Sequence, residues 1–280
     1  MITRSLLLMG SNILRKKSIN THQLDSEIIL ANLISISREQ LLLNDHKNVS
    51  QDIYQKFSEA ILLRSKLQPV AQIINQKEFW STNFLVGKDT LIPRSETELM
   101  VESILKIFKG NKINFLDVGT GSGCILLSLL KELKDSRGTG IDINPKSIKV
   151  CKANRYKLHL SNRAKIKCIA IENFFNKKFD LIVSNPPYIP SRELANLSPE
   201  IRNYEPMRAL NGGIDGLDLI EKVIYKTEAL LKVKGILAIE VHIGQYRKAS
   251  QLLIKNNFRI IDKVTDFKTN IRCILGTKVK

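Results

Sequence analysis

An apolar run, Ile113–Val118, passes without a break into Gly119-Thr120-Gly121-Ser122-Gly123, and a helix-patterned stretch, Cys124–Leu133, follows at once. Few architectures accept that junction. Three glycines in five residues let the backbone turn sharply and approach a ligand closely. A strand that hands over directly to a helix opens a βαβ unit. The rest of the chain repeats the alternation. A strand ends at Gly140-Ile141-Asp142-Ile143, and Asn144-Pro145 caps and opens the next helix. Further strands are predicted at Lys165–Ala170, Phe179–Ser184, Ile236–Val241, Phe258–Asp262 and Ile271–Leu275, with helices at Leu217–Leu231 and Tyr246–Asn256. Strands alternating with helices make an α/β domain whose doubly wound, mostly parallel sheet is covered on both faces. Upstream, Ser95 and Glu98 read as a capping box for a helix with Val101, Ile104, Leu105 and Phe108 on one face.

The chain before this domain reads differently. Ile53, Phe57, Ala60 and Ile61 form the stripe of an amphipathic helix, and Leu30, Leu33, Ile34 and Leu41–Leu43 supply another apolar face. Asn20, Asp25 and Ser26 offer polar helix starts. Strand-like alternation is absent until about Val70. These patterns predict a small helical bundle over residues 1–68 and a β-hairpin connector over 69–92, with Phe79-Trp80 and Phe84-Leu85-Val86 as its apolar strands. The α/β domain then occupies 93–280.

The net charge of +17 divides unevenly. Residues 1–85 hold 10 basic and 7 acidic residues (+3), and the remainder holds 34 and 20 (+14). Such a field attracts acidic partners, nucleic acid among them. The basic residues are dispersed, however, and the densest series, Lys146, Lys149, Lys152 and Arg155, covers one helix face. A solvated surface explains them better than a groove, and no stable nucleic-acid partner is expected. Cys124, Cys151, Cys168 and Cys273 form no C-x-x-C pair and lie in apolar segments, as buried thiols of a reducing compartment do. The four histidines are scattered, so no metal site is expected. Apolar runs are too short to span a bilayer and no signal peptide is evident, which predicts a cytoplasmic protein with no membrane partner.

Two motifs carry chemistry. The glycine loop lacks the spacing of G-x-G-x-x-G and has no G-K-[ST], so it is neither a dinucleotide fingerprint nor a P-loop. Asp142 ends the next strand, 23 positions beyond Gly119, where a carboxylate can accept from both hydroxyls of a ribose. Asp117, just before the loop, is placed to orient it or to meet the ligand's amino group. The second motif is Asn185-Pro186-Pro187-Tyr188, directly after the strand Phe179–Ser184. Its two prolines hold the chain rigid. The Asn185 side-chain carbonyl and the Pro186 backbone carbonyl can together hold a planar NH2 group by both hydrogens, and Tyr188 offers it an aromatic face.

Glycine loop, ribose aspartate and Asn-Pro-Pro-Tyr together resemble the S-adenosylmethionine-dependent methyltransferases that act on planar nitrogens. Within these the chain resembles the HemK family, the release factor glutamine methyltransferases. The likeness covers nearly the full length and includes Lys77-Glu78-Phe79-Trp80, the segment Thr90 to Glu98, Glu205-Pro206, Ala209-Leu210, Gly212-Gly213, Asp215-Gly216-Leu217 and Gly244-Gln245. It implies a seven-stranded Rossmann-like methyltransferase sheet preceded by a small all-helical domain that recognises the protein substrate. It also implies that Gly119, Thr120, Gly121, Ser122, Gly123, Asp142, Asn173, Phe174 and Asn185, with Asp117, hold S-adenosylmethionine. Asn185, Pro186, Pro187 and Tyr188 then hold the substrate amide, with Asn185, Pro186 and Tyr188 catalytic. The implied substrate is the glutamine of the Gly-Gly-Gln motif in peptide chain release factors.

The chain departs from the family pattern at Gln72, where Tyr is frequent, at Asn75, where Gly is usual, and at Ser95, where Pro is frequent. Asn173 stands in place of an Asp in the segment that contacts adenine. A ribosomal-protein glutamine methyltransferase shares the catalytic motifs, and a DNA or RNA exocyclic-amine methyltransferase uses the same tetrapeptide on a flipped base. Against the latter, the sequence shows no inserted target-recognition domain, and its Pro-Arg and Asp-Gly-Leu segments resemble those of the protein-modifying branch.

Overall fold

A computed structural model describes residues 2–44, 46–175 and 177–280. The chain forms two compact units. One comprises the chain up to Gln76 together with Ser198–Tyr204, and the other comprises Lys77–Leu197 with Glu205–Lys280.

The first unit contains α1 (Thr3–Lys16), α2 (His22–Leu33), α3 (Arg38–Leu43), α4 (Gln51–Ser65), the single turn α5 (Val70–Ile73) and, from later in the chain, α9 (Pro199–Tyr204). Leu6, Leu14, Ile29, Leu30, Leu41, Phe57 and Ile61 are wholly buried between the helices. Asp25 and Ser26 are not helix starts. They lie buried inside α2, where Arg64 donates from Nε to Asp25 Oδ2 at 2.7 Å. Arg64 also pairs with Glu200 at 3.1 Å, and Gln72 Nε2 donates to the Tyr204 carbonyl at 2.7 Å, so the two chain segments of this unit are stitched by buried polar groups. A capping box sits at Ser37 and Gln40, and none forms at Ser95. Ser50 caps α4 by accepting from Ile53 N. Ser50→Ala is expected to cost about 1 kcal/mol, read as a shift in the urea midpoint at unchanged slope.

The second unit opens at Lys77, inside the hairpin of β1 (Gln76–Phe79) and β2 (Thr82–Leu85). Trp80 and Ser81 form its turn at positive φ, so Trp80 is not a strand residue, and Val70 belongs to α5. Asn75, just before the hairpin, takes φ +55, a conformation that glycine adopts freely and asparagine tolerates. The departure from glycine there is accommodated.

Then follow α6 (Ser95–Phe108), β3 (Asn114–Val118), α7 (Cys124–Glu132), β4 (Arg137–Asp142), α8 (Pro145–Lys157), β5 (Ala164–Cys168), β6 (Phe179–Ser184), α10 (Asp218–Leu230), β7 (Leu231–Glu240), α11 (Tyr246–Lys255), β8 (Phe258–Thr265) and β9 (Ile271–Lys278). The seven strands β3–β9 make one sheet in the order β5-β4-β3-β6-β7-β9-β8, parallel except for β9, which runs antiparallel to both neighbours. This is the expected doubly wound, Rossmann-like sheet. Successive residues of each central strand feed opposite cores, as a period of two requires. Leu181 and Val183 pack with α6 and α7, while Ile182 packs with α10 and α11.

Helix α6 starts at Ser95, but Arg94 is its N-cap and no side chain caps it. Glu98 accepts instead from Trp80 N at 2.8 Å, tying the hairpin turn to α6. Ser95 is the first helical residue, a position that suits proline equally well. Asn154 of α8 bonds both backbone groups of Leu85 and the Ser122 carbonyl, joining the hairpin to the glycine loop. Of the four cysteines, Cys151 and Cys273 are buried, but Cys168 at the end of an outer strand is exposed.

Candidate functional site

Strand order places the site. The chain winds from β3 outward through β4 to β5, then crosses back to β6 on the other side of β3. That reversal opens a crevice at the carboxyl ends of β3 and β6. Register does the rest. Val118 pairs with Ile141 on one side and Ser184 on the other, and Ser184 pairs with Ile239. The next residue of each strand is therefore level with its neighbours, which sets Asp142, Gly119, Asn185 and Glu240 in one row along the sheet edge.

A cavity of about 360 Å³ lies over this row, within the usual range for small-molecule sites. Its wall includes Gly119, Thr120, Gly121, Ser122, Asp142, Asn185 and Pro187, as the sequence predicts. Gly119 N and Thr120 N both donate to the Ile141 carbonyl at 2.9 Å, which folds the loop over β4. Gly123 takes φ +83 as the N-cap of α7, and a Cβ there would sit 2.6 Å from Cys151 Sγ. Asp142 accepts from Gly121 N at 3.0 Å and Asn144 N at 2.8 Å, one on each carboxylate oxygen. Burial raises its pKa, against the pull of these two donors.

Several predicted residues stand off the wall. Asp117 is fully buried beneath the loop, where its Oδ2 accepts from Thr120 Oγ1 at 2.7 Å. Burial pushes its carboxyl up to about 7, and of the two sequence readings its place fits loop orientation. Gly123, Pro186 and Tyr188 also lie outside the wall. Phe174 is a core residue, packed ring to ring with Phe179 at 6.0 Å, and Asn173 is exposed. Ile169, Ala170, Ile171 and Glu172 form this side of the cavity instead. A short helical turn at Ile171–Asn173 leaves Asn173 facing outward, so the residues just before the predicted pair line the cavity.

Asn185 is the most informative side chain. Its Nδ2 donates to Thr97 Oγ1 at 3.2 Å. Its Oδ1 is buried and has no hydrogen-bond partner among the described residues. A buried acceptor left unmatched is costly and marks a place where a ligand donor belongs. Thr97 Oγ1 donates in turn to Glu240 Oε2 at 2.7 Å, and Tyr188 Oη donates to Glu240 Oε1 at 3.1 Å. Burial, then the charge of Glu240, raises the Tyr188 pKa, so the phenol keeps its proton.

The backbone after the tetrapeptide is held by the glycine-rich segment Gly212–Leu217. Gly212 N donates to the Ile189 carbonyl at 2.9 Å. Gln245 Nε2 donates to the Tyr188 carbonyl at 2.9 Å and to the Gly216 carbonyl at 3.2 Å. Gly216 has φ +79, and a Cβ on it would lie 2.2 Å from the Tyr188 carbonyl oxygen. Arg94, on the wall, pairs with Glu205, which also accepts from Ile92 N. Sequence reasoning gave no role to Thr97, Glu240, Glu205, Gln245 or Arg208, the last also on the wall. Thr97, Glu205 and Gln245 do fall inside the segments that carry the family resemblance.

Comparison with known proteins follows the same division. Residues 109–272 match a family model described as a methyltransferase domain, and residues 5–74 match one described as the PrmC N-terminal domain. A release factor glutamine methyltransferase of Rhodospirillum rubrum is 37% identical over 91% of this chain and 78% of its own. One of Buchnera aphidicola is 38% identical over 91% of this chain and 92% of its own. Among solved structures, a methyltransferase from Pyrococcus furiosus superposes with a TM-score of 0.54 at 14% identity, over 80% of this chain and 98% of that one, a likeness of fold alone. With relatives of that identity matching over both units, the chain belongs to the release factor glutamine methyltransferase family.

Proposed function

We infer that the chain transfers a methyl group from S-adenosylmethionine to the side-chain nitrogen of the glutamine in the Gly-Gly-Gln motif of peptide chain release factors, in the cytoplasm where translation ends. The observation that carries this reading is the Asn185 side chain: its NH2 end is taken by Thr97, and its carbonyl oxygen is buried at the cavity wall without a partner among the described residues. An acceptor so placed fits a substrate that brings an N–H.

The residues present fit the cofactor. Gly119, Thr120, Gly121 and Ser122 give a close-approaching backbone floor, and Asp142 keeps spare lone pairs for ribose hydroxyls. Ile141, Ile143, Ile169 and Ile171 give apolar walls for a flat ring. When bound, S-adenosylmethionine supplies an electrophilic methyl group on a positively charged sulfur. The chain's own part is positioning. An amide nitrogen is a poor nucleophile because its lone pair is delocalised. By accepting an N–H, Asn185 Oδ1 orients the substrate nitrogen and leaves more electron density on it. The rigid Pro186-Pro187 step fixes that acceptor, and the proton released by the methylated nitrogen needs no strong base close by.

The relatives' name and the helical unit matched by the PrmC N-terminal model support a release factor as substrate over a nucleic-acid base. The test is to incubate the protein with labelled S-adenosylmethionine and, separately, release factor, ribosomal protein or DNA. Label is expected on the release factor and is expected to vanish when its Gly-Gly-Gln glutamine is replaced. Label on DNA or on ribosomal protein alone would overturn the assignment.

A further inference from the structure

Glu240 ends β7 fully inside the protein, with a hydrogen bond on each carboxylate oxygen. A carboxylate only accepts hydrogen bonds, and a threonine hydroxyl has one proton to give. With that proton on Glu240, Thr97 Oγ1 faces Asn185 with lone pairs alone, so only the NH2 end of the Asn185 amide can meet it. The two ends of an amide are nearly alike in shape and opposite in hydrogen-bond character. Turned the other way, Asn185 would aim an acceptor at an acceptor and offer its own NH2 to the substrate's NH2. We propose that Glu240, acting through Thr97, is a positioning residue for methyl transfer: it fixes which end of the Asn185 amide is left for the substrate, and it steadies the Tyr188 ring by its hydroxyl.

The proposal rests on the glutamine-methylating reading and deepens it. Neither Thr97 nor Glu240 has to touch the reacting atoms. Their separation in sequence is 143 residues, and the strand register alone brings Glu240 level with Asn185. The relay also has a pH dependence that a purely structural carboxylate would lack. Burial pushes the Glu240 carboxyl up to about 7. The groups facing it are Glu96 and Thr97 from α6, Cys124 from α7, Tyr188 after β6, and Arg272 and Cys273 from β9, with Arg94 and the His242 ring next to Tyr188. Arg272 favours the carboxylate and Glu96 opposes it. Once protonated, Glu240 can donate to Thr97, whose own proton then turns toward Asn185 and removes the reason for the amide's orientation. The functional form is the carboxylate, so methyl transfer is full above the pKa and falls as pH drops through about 7.

The experiment is single-turnover methyl transfer to release factor across that pH range, with methyl-donor affinity by calorimetry, for the wild type and for Glu240→Gln, Thr97→Val and Thr97→Ser. Thr97→Val is expected to slow transfer by about tenfold or more, the scale of a misplaced reacting group, with donor affinity and half-saturation by release factor nearly unchanged, whereas Glu240→Gln, whose carbonyl end can still accept from Thr97 while its NH2 end turns to Tyr188, is expected to keep most of the rate. Thr97→Ser keeps the hydroxyl and is expected to restore the rate. At saturating methyl donor, so that titration of Asp117 beneath the glycine loop acts only on donor binding, the acid limb of the wild type is expected to disappear in Glu240→Gln. Wild-type transfer by Thr97→Val, or an acid limb that persists unaltered in Glu240→Gln, overturns the relay. Should Glu240→Gln fail to fold, the Val and Ser variants at Thr97 decide the matter alone. Failure of the wild type itself to label release factor is a different outcome and overturns the functional reading, the relay with it.

Discussion

Asn185→Ala is expected to lower the single-turnover rate of methyl transfer by on the order of 10²-fold or more while leaving S-adenosylmethionine affinity nearly intact. The variant removes a buried carbonyl at the cavity wall that has no donor among the described residues. Loss of the hydrogen bond and loss of alignment then act on the same nitrogen. The Gly119-to-Ser122 floor and Asp142 are untouched, so the donor keeps its contacts. Near-normal transfer by this variant would make Asn-Pro-Pro-Tyr a structural turn, and the amide-nitrogen reading would fall with it.

Asn185→Asp separates shape from hydrogen-bond character. It keeps an acceptor of similar size but cannot donate to Thr97 Oγ1, and it sets a second carboxylate within the network that ends at Glu240. The aspartate side chain is repelled from Thr97's lone pairs and turns. Donor affinity is expected to hold or rise, since a negative charge stands near the sulfonium, while transfer stays as slow as in the alanine variant. An aspartate variant that transfers at the wild-type rate would mean that the NH2 end of Asn185 is dispensable, which contradicts the relay as well.

What the sequence disclosed is what lies close in sequence. The glycine loop, Asp142 and the tetrapeptide each follow directly from the strand that aims them, so reading the strand locates the group. The parallel sheet was legible for the same reason, from short apolar strands alternating with helices. The supporting contacts span 88 residues for Asn185 to Thr97, 143 for Thr97 to Glu240 and 57 for Gln245 to the Tyr188 carbonyl. No periodicity reports contacts of that kind. Ser95 and Glu98 have the spacing of a capping box, yet Glu98 serves the Trp80 amide, because a tertiary donor competed with the local one. Asn173 fits an adenine contact on paper and faces outward because one helical turn intervenes. The Asp-Gly-Leu segment proves to be the buttress of the tetrapeptide: at Gly216 any side chain would strike the Tyr188 carbonyl.

Asp142 yields the complementary prediction. Both of its oxygens are engaged by backbone amides, Gly121 N on one and Asn144 N on the other, and each oxygen retains a lone pair. The side chain thus shapes the glycine loop and has capacity left for two ribose hydroxyls. Asp142→Ala is expected to remove charge-assisted hydrogen bonds worth roughly 1.5–3 kcal/mol, which weakens methyl-donor binding by about 10- to 100-fold. Asp142→Asn is expected to fail in the same direction, since its NH2 end must face either Gly121 N or Asn144 N, a donor against a donor. At saturating donor, both variants are expected to transfer methyl within a few-fold of the wild-type rate, because Asn185, Thr97 and Glu240 remain in place. The pattern is the reverse of that for Asn185→Ala: one acts on binding, the other on the chemical step. Calorimetry that found donor affinity unchanged in Asp142→Ala would remove this carboxylate from the cofactor site and leave it as a brace for the loop alone.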